Sequence, residues 1–395
     1  MMSHVLRWAL VGLLVAHGLL HLLGAAKGFG WAAVSRLEEP IGPGGGALWL
    51  LAAIVLLAAA ALVAAGTSTW WWAVVLVGAV LSQVAIMTSW SDARYGTVAN
   101  LILLLAAAYG FASMGPTSFH AQFRDLAAEA VAEVSPESGQ LVSEADLAEL
   151  PSPLAAYVRR SGALGKPRVR SFSATFHGRI RSGPAQAWMP FTGTQVNTFG
   201  PRPRRVFLMD ATRSGLPVTV LHSFKDSTAT MRVKVLSLFS VVDASGAVMD
   251  RGETVTVFND LVVLAPAAIV DAPVRWTTVD AQHVRGVFTD GDQTVSAELT
   301  FNAEHDLVNF TSDDRSRASA DGKSFDPLKW STPLSGHRDV DGRRVMTAGA
   351  GRWDASPPEG LFTYLEFHVD DIAYNLDDAD GAPVPSSPAP AGVLR

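Results

Sequence analysis

The first 116 residues hold only seven charged side chains, Arg7, Lys27, Arg36, Glu38, Glu39, Asp92 and Arg94, and long hydrocarbon runs lie between them. Four runs, near 8–24, 47–66, 70–88 and 97–114, are long enough to cross a bilayer core of roughly 30 Å. The second, "ALWLLAAIVLLAAAALVAAG", has no polar side chain apart from its indole. The first also suits a signal peptide with "GAAKG" as its cleavage site, but removing it would leave an odd number of crossings. Trp8, Trp31, Trp49, Trp70, Trp71, Trp72 and Trp90 fall at the ends of runs, where indole rings meet headgroups. A multi-pass α-helical membrane domain over 1–116 is the expectation.

Four crossings place both termini on one side. Lys27, Arg36 and Arg94 sit in the loops at 25–46 and 89–96, while Arg7 and Arg124 mark the other face. The excess of cations assigns those loops to the cytoplasm and the rest of the chain to the outside.

Helix direction then brings polar residues to one depth. His17 and His21 lie in the last two turns of the first run, Ser82 and Gln83 in the last two turns of the third, and Asn100 in the first turn of the fourth. At 1.5 Å per residue all fall within roughly 10 Å of one boundary. Asp92 and Arg94, in "SWSDARYG", cap the same end. Polar groups in hydrocarbon turn inward to find partners. The cluster reads either as interhelical hydrogen bonding or as a small site for a cofactor or a proton path. Two imidazoles at i, i+4 do not fill a zinc shell. A single haem would need a further ligand, and no other His lies within the runs.

Beyond residue 116 the character changes. Residues 117–165 read as a helical connector. "SEADLAEL" carries Ser143 as an N-cap with Asp146 three residues on, and "PSPLAAYVRRSG" carries Ser152 as an N-cap with Gly162 as a stop. Arg159 and Arg160 suit the helix C-terminus, or anionic headgroups. From 166 to 376 the period is two. Phe172, Ala174, Phe176 and Ile180 alternate with polar residues, as do Met231 and its neighbours in 229–235, Leu299 in 295–302, and Phe367 in 361–370. Such strands suit an antiparallel curved sheet with one wet face. Turn signals at Ser245-Gly246, Asp290-Gly291 and Asp341-Gly342 separate roughly ten to twelve strands. Few helices are available to cover the apolar face: 144–161, and 252–264 if its Val and Thr do not make it a strand. A large curved sheet with one or two covering helices leaves a hollow unless side chains fill it. Phe172, Phe176, Met231, Leu299 and Phe367 would line that hollow. The Pro- and Ala-rich tail, 377–395, reads as disordered.

Taken together, "HLLGAAKGFG", "LSQVAIMTSWSDARYGTVANLI", "LPSPLAAYVRRSGALGKPRVRS", "VVDASGAVMDRGE" and "DDIAYN" resemble a family of uncharacterised bacterial membrane proteins. The resemblance implies four N-terminal spans before a C-terminal β-rich domain, in the bacterial inner membrane, with a covering helix at 252–264. The β domain is similar to the periplasmic lipoprotein-carrier fold, a half-barrel wrapped over helices that holds acyl chains. It carries no assigned activity.

Several chemistries are absent from the sequence. The net charge is −6, with no basic stripe for nucleic acid. There is no Cys, so thiolate nucleophiles and Cys-based metal sites are excluded. No nucleophile elbow, phosphate-binding loop or dinucleotide fingerprint occurs. His177, His222, His283, His305, His337 and His368 are scattered through the β region and read as surface strand residues. The reading is therefore non-enzymatic, without catalytic residues, metal or cofactor. A membrane-anchored β domain binds membrane lipid or an acylated ligand, with its protein partners unknown. The alternatives are a redox or proton-handling bundle, and a structural or interaction protein.

Overall fold

A computed structural model describes residues 4–35, 37–134, 140–319 and 323–377. Arg36 of the charge count, residues 135–139 of the connector and the tail from 378 onward lie outside the described residues. The chain divides into two compact units, Met1–Gln122 with Leu236–Leu238, and Phe123–Val235 with Phe239–Arg395.

The first unit contains α1 (His4–Gly28), α2 (Pro43–Ala65), α3 (Trp71–Met87), the single turn α4 (Trp90–Ala93) and α5 (Gly96–Met114), and α6 (Phe119–Ala132) follows. Three helices, α1, α2 and the one that starts at Gly96, are long and apolar enough to cross a membrane; α3, with 17 residues, is shorter. At 1.5 Å per residue α3 reaches about 25 Å. Leu10, Leu14, Leu56, Ala59, Val63, Val75, Ala79 and Leu103 form the bundle core. Small residues decide how closely α1 and α2 approach. A Cβ on Gly24 would stand 2.3 Å from the Trp49 ring, and one on Gly28 would stand 2.5 Å from the Cα of Gly46. Trp49 is therefore no part of a lipid-facing belt. It is buried in that notch, while Trp8, Trp31, Trp70 and Trp90 are exposed. Leu19, Leu20, Leu23, Leu51, Ile54, Leu101 and Leu105 also face outward.

The second unit begins within α6, and the two capped segments of 144–161 follow as separate helices, α7 (Glu144–Ala148) and α8 (Ser152–Arg160). Pro151 separates them and Pro153 follows in the first turn of α8, so Ser152 is the first helical residue and not the cap. At α7 the expected cap is present as a full capping box. Ser143 accepts from the Asp146 amide, and the Asp146 carboxylate accepts from the Ser143 amide at 2.8 Å. Arg159 pairs with Glu144, and Arg160 with Asp306.

The strands run in a simple logic. β1 (Ser171–Ile180), β2 (Met189–Thr198), β3 (Arg204–Arg213), β4 (Leu216–Lys225), β5 (Thr228–Val235) and β6 (Phe239–Ser245) form a meander. Helix α9 (Ala247–Leu264) and the 3-10 turn Pro266–Asp271 follow, then β7 (Val274–Thr278), β8 (His283–Asp290), β9 (Gln293–Phe301) and β10 (Leu307–Ser312). β11 (Ser316–Ala318) and β12 (Phe325–Pro327) form a separate ribbon before β13 (Lys329–Val340), β14 (Arg343–Asp354) and β15 (Leu361–Tyr374). One 13-stranded sheet results, in the order β6-β5-β4-β3-β2-β1-β15-β14-β13-β10-β9-β8-β7. The expected ten to twelve strands fall short of this. β11 and β12 are three residues each and too short to show a period.

This order explains α9. The chain leaves the β6 edge and must reach the opposite edge, β7, so the connecting segment crosses one face of the sheet. Every residue from Gly252 to Leu264 is buried. The Val and Thr content that favours a strand is overridden. Helix propensity costs at most about 0.7 kcal/mol for such a residue, whereas burying a Val or Phe side chain is worth about 1.5–3 kcal/mol. Phe258 stacks on Phe288 and meets Phe310 and Trp276. Ser245-Gly246 does not turn into another strand; Gly246, at φ 105°, leads into α9. Asp290-Gly291 and Asp341-Gly342 do close hairpins, and both residues of the second pair have positive φ.

Candidate functional site

Register alone sorts the residues that face α9 by polarity. Opposed residues on neighbouring strands share a face. One such row is Ala211, Val218 and Val235. The next is Met209, Val220, Val233 and Val242. The third is Gln195, Phe207, His222 and Met231, and in the fourth Arg205 stands opposite Phe224. Hydrocarbon thus gives way to polar groups within three rows.

These rows, one side of α9 and residues of β1, β13, β14, β15 and the β11–β12 ribbon line a cavity of about 710 Å³. Its walls include Phe176, Phe191, Met209, Val218, Val220, Met231, Val233 and Phe367. Exposed lining residues, Thr212, Arg213, Ser214, Val241 and Val248, mark a mouth at the β3–β4 turn and the start of α9. Pockets for small ligands are typically about 300–1,000 Å³ and mostly apolar with a few fixed polar groups.

The polar base comes from a stripe on α9. Gly252, Glu253, Thr256, Asn259, Asp260 and Val263 all line the cavity. Asp260 Oδ2 accepts from Gln195 Nε2 at 2.7 Å, Arg205 Nε at 2.8 Å and Asn197 Nδ2 at 3.1 Å. Arg205 also donates to Glu253 Oε2 at 3.3 Å and to Gln195 Oε1 at 3.2 Å. Arg315 donates to Glu253 Oε1 at 3.4 Å, with its guanidinium 4.4 Å from the centre of the Trp330 ring and 5.8 Å from that of Trp353. His222 Nδ1 lies 3.7 Å from Glu253 Oε1, beyond hydrogen-bond distance, and has no partner among the described residues.

Burial and charge set the protonation. Desolvation pushes the His222 imidazole down to about 4, so it is neutral at pH 7. Desolvation raises the Asp260 carboxyl against the pull of Arg205. Glu253 suffers the same desolvation, but its neighbours outweigh it, with His222 neutral chiefly the charges of Arg205 and Arg315, and its carboxyl stays below the usual range. Two guanidinium groups thus face two carboxylates, and a buried pair of this kind keeps its charges only with good geometry and further hydrogen bonds.

Of the five apolar residues expected to face a ligand, Phe176, Met231 and Phe367 line the cavity. Phe172 and Leu299 do not. Both are fully buried in the packed core. The β15 alternation is also broken. Bulges at Tyr364 and Asp370 flip its phase, so Phe362, Val369 and Ile372 are buried while Leu361 is exposed. Of the histidines read as surface residues, His177 and His368 are exposed and stack on each other, whereas His222 is turned into the cavity. Arg205, Glu253, Asp260 and Arg315 were not singled out by sequence, and His222 was read as a surface strand residue. The signal that could have found them is the i, i+3, i+7 run of Glu253, Thr256 and Asp260 in an otherwise apolar helix.

In the first unit, His17 Nε2 is 2.8 Å from Ser82 Oγ and 3.0 Å from Asn100 Oδ1. Asn100 Nδ2 donates to Gln83 Oε1 at 3.0 Å, and Gln83 Nε2 to Thr97 Oγ1 at 3.2 Å. His21 Nδ1 bonds the His17 carbonyl at 2.9 Å, and its ring lies 4.9 Å from that of Trp49. Asp92 Oδ2 accepts from the Glu39 amide at 2.9 Å, and Arg94 lies over the Tyr95 ring. Among the described residues no group of three or more His, Asp or Glu is placed to hold a metal ion.

Comparison with solved structures finds loose likenesses. A domain assigned to outer-membrane lipoprotein sorting, from Vibrio parahaemolyticus, is 10% identical over 53% of this chain and 88% of its own, with a TM-score of 0.30. A DUF1329 family protein from Desulfovibrio piger is 15% identical over 58% of this chain and 95% of its own, with a TM-score of 0.31. LprF from Mycobacterium bovis is 12% identical over 64% of this chain and 100% of its own, with a TM-score of 0.19. Likenesses this loose say nothing about a ligand. No curated protein matches the sequence. A family model does match, over residues 140–367, and the chain belongs to that family, a family of unknown function (DUF6544).

Proposed function

We propose that the protein is a non-enzymatic, membrane-anchored binder of lipid or acyl chains. The first unit is the anchor. α3 supplies a fourth crossing beside the three longer helices, and the outward Leu and Ile side chains of α1, α2 and α5 meet hydrocarbon. The excess of Lys and Arg in the loops at 25–46 and 89–96 puts the second unit outside the cytoplasm. The observation that carries the binding role is the cavity of about 710 Å³ between the β1–β6 rows and α9, walled by Val, Met and Phe.

Filling the cavity tests this. Val220 is buried on its wall. Full-length protein should retain an acyl-linked fluorophore, and Val220→Trp should retain roughly tenfold less. Equal retention by the two proteins, or none by the wild type, contradicts the reading.

A second reading, a redox or proton-handling bundle, is favoured by one observation: His21 Nε2 is buried without a partner among the described residues. Visible absorption of purified protein tests it. A haem or flavin band that disappears in the His17→Ala, His21→Ala double variant supports it, and a featureless spectrum removes it.

A further inference from the structure

We infer that the base of the cavity recognises a neutral carbonyl group, so the acyl chain is held as an ester or amide and not as a free carboxylate. The inference rests on the acyl-binding reading above and names the chemistry of the ligand's polar end.

Three observations carry it. The first is an under-used donor. A guanidinium offers five N–H groups in a fixed fork. Among the described residues Arg315 has one hydrogen bond, to Glu253 at the long distance of 3.4 Å. The group lines the cavity and its side chain is 16% exposed, so the remaining N–H groups face the cavity space. Trp330 lies face-on at 4.4 Å and fixes the plane of the fork. The N–H groups that do not meet Glu253 are therefore open to an acceptor that enters the cavity.

The second is charge balance. Arg205 and Arg315 face Glu253 and Asp260. Three N–H donors on Asp260 Oδ2 suit its ionised form, and the sum over the four groups is then zero. Arg317 is already paired with Glu359, and Arg181 bonds two carbonyls. An entering carboxylate would share Arg315 with Glu253, at close range and away from water, and would leave the base net negative. A carbonyl oxygen takes the same N–H groups without disturbing the balance.

The third is the partner across Glu253. His222 lines the cavity with its Nδ1 buried on the Glu253 side, and as a neutral ring it carries one N–H. Arg315 and His222 flank Glu253 Oε1 at 3.4 Å and 3.7 Å, so the free donors of Arg315 and the neutral ring meet the cavity at one place. The apolar rows Met209–Val220–Val233 and Ala211–Val218–Val235 run from that point toward the mouth and take the chain.

The test ranks three ligands with the same chain. Full-length protein in amphipol is offered equimolar dodecanoate, methyl dodecanoate and dodecane at about pH 8, where the acid is ionised. It is freed of unbound ligand, and the retained species are quantified. Methyl dodecanoate should exceed each of the others by roughly tenfold, the size expected for a hydrogen bond from a charged donor. Arg315→Met should lower ester retention about tenfold, and His177→Ala, on the exposed outer face, should keep the ester preference. The wild-type ranking stands even if the Arg315 variant fails to fold. Dodecanoate held as well as the ester overturns the inference, as does dodecane held as well as the ester. Retention of none of the three contradicts the acyl-binding reading itself.

Discussion

Both units bury polar groups in apolar surroundings, but they do so in opposite ways. In the helical unit the groups are two imidazoles, a hydroxyl and two amides. His17, Ser82, Asn100 and Gln83 satisfy one another in a chain, while His21 bonds the His17 carbonyl and its Nε2 lacks a hydrogen-bond partner among the described residues. In the β unit the groups are full charges. Arg205, Glu253, Asp260 and Arg315 surround the base of a cavity, and Arg315 keeps donors in reserve. Neutral groups that close on each other suit packing. Charges that stop short of closing suit a ligand.

The contrast predicts unequal costs. Asp260→Ala removes the acceptor of three donors and leaves Arg205 short of its counter-charge. Thermal unfolding should show a loss of about 3–5 kcal/mol, the range for breaking a buried pair. A loss below about 1 kcal/mol would mean that water enters and takes the place of the carboxylate.

Next in size is a pH effect. The folded pKa of His222, about 4, lies below its free value of 6.5. Between those values the unfolded chain binds a proton there and the folded chain does not. The His222 contribution is therefore full above pH 6.5 and falls as pH drops toward 4, by on the order of 3 kcal/mol. Asp260, with a raised pKa, works in the opposite sense in acid. The comparison of wild type with His222→Leu between neutral pH and pH 5 isolates the histidine. The variant should lose less stability than the wild type, and parallel losses would place His222 in water.

The smallest effect belongs to the bundle. Asn100→Ala breaks the link from His17 to Gln83. Hydrogen bonds between membrane helices contribute about 0.6 kcal/mol on average and rarely more than about 1.7. Loss of helical signal in a denaturing detergent titration should shift by about 1 kcal/mol. A loss comparable to that of Asp260→Ala would erase the distinction between the two clusters.

How far the sequence foretells this depends on range. Local signals read well. The Ser143–Asp146 box, the Asp341-Gly342 turn and the alternation of β1 each involve residues within a few positions of each other. The run-by-run direction of the helices sufficed to place His17 level with Ser82 and Asn100. The cavity base was not legible in the same way. Arg205 and Arg315 come from distant strands, and a charged residue on a strand reads as solvated until its neighbours are known. α9 was ambiguous because its Val and Thr speak for a strand, and only the need to cross from β6 to β7 settles it. Leu299 was placed on the right face but in packed core. Alternation reports which way a side chain points, not whether anything fills the space in front of it.

The central claim is that an acyl chain occupies the space between the β3–β5 rows and α9. Photocrosslinking tests it most directly. Benzoylphenylalanine is placed at Met231, on the cavity wall, and separately at His177, on the exposed outer face of β1. The full-length protein is irradiated in native membranes and its peptides are weighed. Lipid adducts at position 231 and none at 177 are the predicted result. Adducts at neither position, or equally at both, would contradict the account.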